Sequence, residues 1–389
     1  MRVSFRRIAG FLLIGLLIEL AFFAGIVLGP QLTGVLAGRS GGGHAPLLNE
    51  AWDIAESQFY GQRPTDQTRT YGAVRGMMES FQDPYSIFVE PPQTELQSQQ
   101  LSGKFGGIGA SVRRENGGRI VLSPFPDRPA ARAGVKEGDV LIKIDDTPIA
   151  PETKFEEVTS LLRGEVGTKV NIAVERSGQQ LAFDITRAEI SVPSVTWRLL
   201  SQAPDVGYVR LNIFAQTSKD ELIKAVADLR QQGARKLIFD LRDNGGGLLD
   251  AAIGVAGQFV DGKVVSEKRR DGGPRDFAAE ANGAARDLPL VVLVNGGTAS
   301  ASEIVAGAIQ DKGRGVLVGV NTYGKGSVQN VIPLSDGSSL HVTVAEWLTP
   351  DGRQIAGKGL QPDVSIDLSA DDAANGRDPQ LDRAITAFR

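Results

Sequence analysis

The chain has 389 residues, a formal net charge of −4 and 23% charged residues, which is the composition of a globular protein and not of a disordered one. It contains no cysteine and only two histidines, which excludes disulfides, thiolate nucleophiles and metal sites built from cysteine or several histidines. No block of like charges could follow a phosphate backbone, so nucleic acid is not an expected partner.

Residues 1–30 are predicted to form a membrane anchor. The stretch 8–28 carries one charge, Glu19, and a helix of that length spans about 30 Å of hydrocarbon. The first 39 residues carry +3 and the remainder −7, so the positive-inside rule places the body outside the cytoplasm, in the periplasm or at the cell surface. A cleaved signal peptide, which would release a secreted body, is the alternative. Its apolar core is usually shorter, and Leu36-Ala37-Gly38 is a poor cleavage site.

A glycine-rich linker over 31–46, in which we expect His44 to be solvated, leads to a helical segment over 47–92. Apolar residues at helical spacing, interrupted at 61–64, predict two short helices there. Pro91-Pro92 is predicted to mark a domain boundary.

Two further domains and a tail are predicted. Over 93–188, short β-patterned runs alternate with two helical stretches, which indicates a small mixed barrel. Over 189–368 the pattern repeats strand then helix, which indicates a parallel α/β sheet, and it closes with a hairpin; 369–389 is predicted to be a polar tail. The predicted strands are 206–214, 236–241, 290–294, 315–320, 328–334 and 339–348, and the predicted helices are 219–232, 248–259 and 302–310.

Three unusual loops follow the parallel strands, at 243–247, 295–300 and 323–326. Parallel strands joined by right-handed crossovers put such loops on one edge of the sheet, where open α/β sheets bind their ligands. We therefore expect the chemistry of this protein at that edge.

Ser300 and Lys325 are the reactive candidates in these loops. Ser300 lies at a strand-to-helix turn, where the positive end of a helix favours a nucleophilic hydroxyl, although Ser300 and Glu303 also match a capping box that would be purely structural. Glycines flank Lys325 and let the main chain approach closely. If the lysine is buried, its lowered pKa makes it the base that Ser300 lacks; a surface lysine in a turn is the alternative.

A nucleotide site is excluded by the same loops. Residues 319–325 match part of a phosphate loop, but Gly326 follows where Ser or Thr would hold magnesium, and a β pattern follows where a helix is required. The glycines at 245–247 precede Asp250, where a dinucleotide fingerprint has its third glycine, so their amides suit an oxyanion better.

Four segments in order resemble motifs of the C-terminal processing (tail-specific) serine peptidases, over about 47–367: 83–86 (DPYS), 240–247 (DLRDNGGG), 296–304 (GGTASASEI) and 323–329 (YGKGSVQ). The resemblance implies an α/β fold with a crotonase/ClpP-like protease core, an inserted PDZ domain, an extracytoplasmic location and a serine endopeptidase activity that needs no metal or organic cofactor. It makes Ser300 the nucleophile, Lys325 the general base and Gln329 the residue that orients the lysine. The amides of Ala301 and Gly246 would form the oxyanion hole.

Two other polar residues are given structural roles. Ser302 is a rival nucleophile, but the family motif assigns that role to the serine three residues before Glu303. His341 falls in a hairpin strand and matches no catalytic position of the family, so we expect it to be half-buried and structural.

Residues 104–109 (KFGGIG) resemble the carboxylate-binding loop of a PDZ domain, which binds a peptide terminus while the peptide adds a strand to the sheet. The resemblance assigns peptide binding to Phe105, Gly106, Gly107, Ile108 and Arg163, and Arg163 is also expected to sense the bound peptide. The expected substrates are polypeptides with apolar C termini.

Two alternatives from other classes remain. One is a noncatalytic peptide-binding scaffold on a silent protease core, and the other is a crotonase-like acyl-CoA enzyme, which explains neither the PDZ segment nor the leader. The sequence leaves the number of subunits open, a homo-oligomer included.

Overall fold

The computed structural model describes residues 45–115 and 117–388. The predicted anchor over 1–30 lies outside the described residues, as does the predicted linker up to residue 44. In the described part of the chain, no helix combines the length and the apolar character needed to cross a bilayer.

The described chain divides into two compact units, with the division between Gly72 and Ala73. The two predicted short helices are present as α1, Ala45–Gln58, and α2, Asp66–Glu79. In the first unit, Arg69 of α2 lies 5.4 Å from the ring centre of Trp52 and pairs with Glu56, which ties the end of α1 to the start of α2.

After α2, the second unit contains an edge strand and a helix that were not predicted from the sequence. Strand β1 is Ile87–Val89, and helix α3, Pro91–Ser102, starts at the prolines that were expected to mark a boundary. Proline is tolerated in the first turn of a helix because the amide it lacks has no partner inside the helix there.

Next comes the small barrel (residues 104–191), whose apolar interior is formed by side chains such as Leu122, Ile144 and Ile172. Strands β3, β4, β5, β7 and β8 form an antiparallel sheet in that order, with β3 at one edge. Strands β2 and β9 pair with each other at the entry and exit of the barrel. The elements are β2 Lys104–Gly107, β3 Ala110–Arg114, β4 Ile120–Pro124, α4 Pro129–Ala133, β5 Asp139–Ile144, β6 Thr147–Pro148, α5 Phe155–Leu162, β7 Lys169–Arg176, β8 Gln179–Thr186 and β9 Ala188–Ser191.

The remaining chain is built on a six-stranded sheet in the order β10-β11-β12-β15-β16-β19. Only the β10–β11 pair is antiparallel, so the predicted parallel sheet is confirmed. Its elements are β10 Val195–Leu200, β11 Ala203–Leu211, α6 Ser218–Gln231, β12 Lys236–Asp240, α7 Leu249–Ala256, β15 Leu290–Val294, α8 Ala301–Asp311, β16 Val316–Gly319 and β19 Val364–Ser365. Helices α6, α7 and α8 cover one face with the larger apolar cluster.

The predicted polar tail over 369–389 contains two helices that were not predicted. The segment forms α9, Ala370–Ala374, and α10, Pro379–Ile385. Leu381 and Ala384 of α10 pack with Ile238 and Leu293 on the opposite face of the six-stranded sheet. Without this helix that face of the sheet would lose its apolar cover.

A second sheet, with five strands, contains the two strands that follow Lys325 in the chain. It contains β1, β18, β13 and β14 in that order, with β17 also paired to β18. The predicted hairpin is present as β17 Ser327–Pro333 and β18 Ser339–Leu348, and β13 Lys263–Arg269 and β14 Arg275–Ala278 are additions to the predicted set. Through β18, the segment before the barrel reaches the strand that follows Lys325.

Candidate active site

The three glycine-rich loops meet at one edge of the sheet, as predicted. The amide of Asp243 donates to Asn295 Oδ1 at 2.9 Å, and Asn295 Nδ2 donates to Asp243 Oδ1 at 2.8 Å, which locks the first loop to the second. The amide of Tyr323 donates to the carbonyl oxygen of Thr298 at 3.0 Å and so ties the third loop to the second.

Ser300 has a strained main chain. Its φ is 56° and its ψ is −117°, a combination that L residues rarely adopt, and α8 starts at the next residue. An ordinary helix-capping serine has extended φ and ψ, so capping alone does not account for this conformation. Such strain costs about 1–3 kcal/mol and is concentrated at functional sites, which favours a catalytic role for Ser300.

The buried carboxylate of Glu303 joins the serine loop to the lysine loop. Its Oε2 accepts hydrogen bonds from the amides of Ser300 and Lys325, both at 2.9 Å, so the two main-chain nitrogens lie within twice that distance of each other. Its Oε1 accepts from the Thr322 hydroxyl and from the amide of Gly324 at 2.8 Å. The structure therefore brings the main chains of Ser300 and Lys325 together through one fully buried side chain.

Lys325 is half-buried, and burial lowers the pKa of its ammonium group, while the carboxylate of Asp83 acts in the opposite direction. The net result is a pKa below the ordinary lysine value of 10.5. A Cβ at position 326 would lie 2.2 Å from the amide nitrogen of Ala356, so the loop can pass this close only because Gly326 has none.

Gln329 lies on β17, four residues after the lysine, and its side chain is fixed by two hydroxyls. Its Nε2 donates to Ser327 Oγ at 2.8 Å and to Thr343 Oγ1 at 3.1 Å. With both amide hydrogens used, the carboxamide oxygen is the atom left to receive a proton donor such as the Lys325 ammonium.

The two amides predicted to form the oxyanion hole lie beside each other, but only one of them is free to donate a hydrogen bond. A Cβ on Gly246 would be 2.9 Å from the Cβ of Ser300, which places this glycine against the candidate nucleophile. However, the Gly246 amide donates to Asn244 Oδ1 at 2.9 Å, so it is not open to a substrate in this conformation. The amide of Ala301, a residue that is 2% exposed, has no acceptor in the described chain and is the donor left next to Ser300.

Ser302 and His341 have the structural positions expected of them. Ser302 is fully buried, and its hydroxyl donates to the carbonyl oxygen of Asn244 at 2.8 Å, which removes it as a nucleophile. His341 is half-buried on β18, and burial together with the charge of Lys325 lowers the pKa of its imidazole.

The barrel carries a groove of about 160 Å³ between α5 and the edge strand β3. Its walls are mostly apolar, and an edge strand with unpaired main-chain groups is the surface on which an extended peptide can add a strand. The lining residues are Phe105, Gly107, Ile108, Gly109, Ala110, Val112, Phe155, Thr159, Leu162 and Arg163. Four of the five residues predicted to bind peptide line this groove. The exception is Gly106, whose carbonyl oxygen accepts a hydrogen bond from the amide of Gly164 at 3.1 Å.

Arg163 links the groove to the helix before the barrel. Its guanidinium lies 4.3 Å from the ring centre of Phe105 and donates to Gln99 Oε1 of α3 at 3.2 Å. Burial lowers the pKa of Arg163, partly offset by the charge of Glu95. A partly desolvated cation in an apolar groove is suited to an anionic ligand.

Two family models match the chain, "Peptidase family S41" over 205–366 and "PDZ domain" over 106–186. The "Carboxy-terminal processing protease CtpA" of Bacillus subtilis (strain 168) is 34% identical over 340 residues, which is 87% of this chain and 72% of that protein. The chain belongs to the C-terminal processing peptidases of family S41.

Two other proteins are similar to this S41 chain. The "Probable CtpA-like serine protease" of Staphylococcus aureus (strain COL) is 36% identical over 82% of the chain, and the chain spans 64% of that protein's length. Among solved structures, the "photosystem II D1 C-terminal processing protease" is 33% identical, with 81% of this chain and 86% of that chain covered and a TM-score of 0.48.

Three residues near the site of this S41 member were not predicted to serve it. Glu303 was interpreted only as part of a capping box, although the same Ser-x-x-Glu spacing could have indicated its bridging position. Tyr85 belongs to a recognised motif with no assigned role, and its ring centre lies 5.1 Å from Lys325 Nζ. Thr343 carries no sequence signal, because only the pairing of β17 with β18 places it next to Gln329.

Proposed function

We propose that this protein is a serine endopeptidase that cleaves polypeptides near their C termini, with Ser300 as nucleophile and Lys325 as general base. The observation that carries the proposal is the Glu303 carboxylate, which holds the amides of both residues. The strained conformation of Ser300 and the lowered pKa of the half-buried Lys325 support it.

In the proposed reaction, neutral Lys325 takes the proton of the Ser300 hydroxyl as the oxygen attacks the substrate carbonyl carbon. The carbonyl oxygen becomes an oxyanion that accepts from the Ala301 amide and, once Asn244 Oδ1 releases it, from the Gly246 amide. The lysine then returns the proton to the leaving amine, and water hydrolyses the acyl-enzyme with the same base. Gln329 orients the lysine through its free carboxamide oxygen.

The barrel is proposed to select the substrate tail. A peptide with an apolar C-terminal side chain would pair with β3, place that side chain in the groove and bring its carboxylate near Arg163. Arg163 would sense that carboxylate and help to activate the catalytic site.

We also propose that residues 1–30 anchor the protein in a membrane with the catalytic body outside the cytoplasm. The proposal rests on the apolar stretch at 8–28 and on the opposite charges of the leader and the body.

A serine-directed acylating probe tests the proposed dyad. We expect it to label Ser300, with a rate that rises with pH and levels off above the pKa of Lys325, because only the neutral amine is a base. Since burial lowers that pKa, the midpoint should lie below 10.5. The measurement is mass spectrometry of the labelled peptide across pH.

Labelling at Ser302, or equal labelling of the Lys325→Ala variant, would contradict the dyad. A protein that binds peptide but is never labelled would instead be the noncatalytic scaffold, and turnover of an acyl-CoA thioester would indicate the crotonase-like alternative.

Arg163→Ala tests the role of the groove. We expect weaker binding of a peptide with an apolar C terminus, by roughly ten- to a hundredfold, because a hydrogen bond to a charged group contributes about 1.5–3 kcal/mol and the peptide's main-chain pairing with β3 remains. Fluorescence anisotropy of a labelled peptide measures it, and the C-terminally amidated peptide is the control, since it should lose affinity for the wild type but not for the variant. Unchanged affinity and unchanged cleavage in Arg163→Ala would reject the role.

A further inference from the structure

The motif over 83–86 was recognised in the sequence without a function, and the structure places it against Lys325. The centre of the Tyr85 ring lies 5.1 Å from Lys325 Nζ, within the range in which an ammonium is attracted to an aromatic face. More than two hundred residues separate the two in the chain, so this contact depends on how β1 joins the second sheet.

The position of Tyr85 is fixed by hydrogen bonds on both sides of it. Asp83 Oδ1 accepts from the Tyr85 amide at 3.1 Å, and Asp83 Oδ2 accepts from the Ser86 hydroxyl at 2.6 Å. The Ser86 oxygen in turn accepts from the amide of Thr343 on β18 at 3.0 Å, and Ser86 is 7% exposed. The turn is therefore hydrogen-bonded to β18. That strand pairs with β17, which carries Gln329 and follows Lys325.

The same strand also holds the residue proposed to orient the lysine. Thr343 binds Ser86 through its amide and Gln329 through its hydroxyl. One residue of β18 thus connects the Tyr85 turn to Gln329. The positions of the aromatic ring and of the carboxamide relative to Lys325 therefore depend on the same residue.

We propose that Tyr85 is a positioning residue for Lys325, whose ring face holds the amine near Ser300 and stabilises the positive charge that the lysine gains when it takes the serine proton. The inference rests on the proposed serine–lysine reaction. Because the ring favours the ammonium over the neutral amine, its interaction is strongest once the proton has been transferred, which is the property that lowers a barrier.

Other titratable groups near the lysine also influence the charge of Lys325 and of Tyr85. The titratable groups near Lys325 are Asp83, Tyr85, Glu303, Tyr323 and His341. The carboxylate of Asp83 raises the pKa of Lys325, and the stronger effect of burial lowers it. Burial raises the pKa of Tyr85, with further contributions from Tyr323 and Glu303, so its phenol stays neutral. The ring, and not a phenolate, is the group that faces the ammonium.

Tyr85→Phe and Tyr85→Leu separate the ring from the hydroxyl. Competitive acetylation across pH, read by mass spectrometry, reports the midpoint at which Lys325 loses its proton, and Lys224, which lies over the ring of Trp197, is the internal reference. We expect wild type and Tyr85→Phe to share one midpoint. Tyr85→Leu should move it down by about half to one pH unit and should slow probe labelling of Ser300 on the order of tenfold. Thermal unfolding confirms that both variants are folded.

An unchanged Lys325 midpoint in folded Tyr85→Leu overturns the inference, as does an equal loss of labelling in Tyr85→Phe, which would assign the effect to the hydroxyl. Lys325→Ala distinguishes this result from failure of the proposed function. If that variant is labelled as fast as wild type, the dyad itself is wrong and the inference falls with it. If it is not labelled, the dyad stands and the Tyr85 variants decide the inference alone.

Discussion

Replacing Ser300 by alanine is expected to reduce kcat/KM toward an unfolded polypeptide with an apolar C terminus on the order of 10⁶-fold, the scale on which serine hydrolases lose activity without their nucleophile. The reason is structural as well as chemical. The main chain at Ser300 is strained and is held by Glu303, and in the proposed reaction this costly conformation positions the attacking hydroxyl.

Lys325→Ala should cost about 10² to 10⁴-fold in the same assay, the usual contribution of a general base, and should remove the rise of activity with pH. Lys312→Ala is the matched control, because Lys312 is exposed at the end of the helix that begins beside Ser300. Cleavage is followed by mass spectrometry of the products. Persistent turnover in either active-site variant, with the cut at the same bond, would show that another residue carries the reaction.

The parallel sheet could be predicted from the sequence because strands such as β15 and β16 are short, apolar and separated by a helix. The strand predicted at 290–294 is observed at Leu290–Val294, where every residue is buried. The strand Lys263–Arg269, which lies between β18 and β14 in the second sheet, was missed because it ends in the three charged residues 267–269, so it lacks both alternation and a continuous apolar run. Helix α10 was missed because its apolar residues are few, and only the face of the sheet beneath them shows why they are there.

The loops that form the site could be predicted from the sequence, but the hydrogen bonds that join them could not. The positions of Ser300 and Lys325 follow from strand order, since loops after parallel strands share an edge. What Glu303 binds depends on the conformation of Gly324 and its neighbours, which no local pattern specifies. The occupied amide of Gly246 could not be predicted either, because it depends on the rotamer of Asn244.

The loop that approaches Ser300 is attached to the end of the chain by a buried ion cluster. Arg242 is 7% exposed and donates from Nη2 to Asp240 Oδ2 at 2.7 Å and to Asp378 Oδ2 at 2.9 Å. Asp240 is fully buried and also accepts from the Tyr208 hydroxyl at 2.6 Å, and burial together with this carboxylate raises the pKa of Tyr208 to about 12. Asp378 caps α10 by accepting from the amide of Leu381, so the cluster joins the active-site loop to the C-terminal helix.

Arg242→Leu is therefore expected to lower the free energy of unfolding by about 3–5 kcal/mol, because it breaks the close buried pair and leaves the Asp240 carboxylate with only Arg210, whose Nη1 is 3.8 Å from Asp240 Oδ2. The melting temperature should fall on the order of 10 °C. Denaturation followed by tryptophan fluorescence measures the change, since Trp197 and Trp347 both lie in the protease core.

Two further variants distinguish the contribution of the buried cluster to stability from the effect of removing any charged side chain. Arg377→Ala removes an exposed arginine that pairs with Asp371 and Asp372 and should leave the unfolding midpoint where it is. Adding Asp240→Leu to Arg242→Leu also removes the buried carboxylate that has lost its closest partner, so the double variant should be more stable than Arg242→Leu alone. If instead Arg242→Leu unfolds at the same denaturant concentration as Arg377→Ala, the cluster does not stabilise the fold, and α10 must be held by its apolar contacts with the sheet.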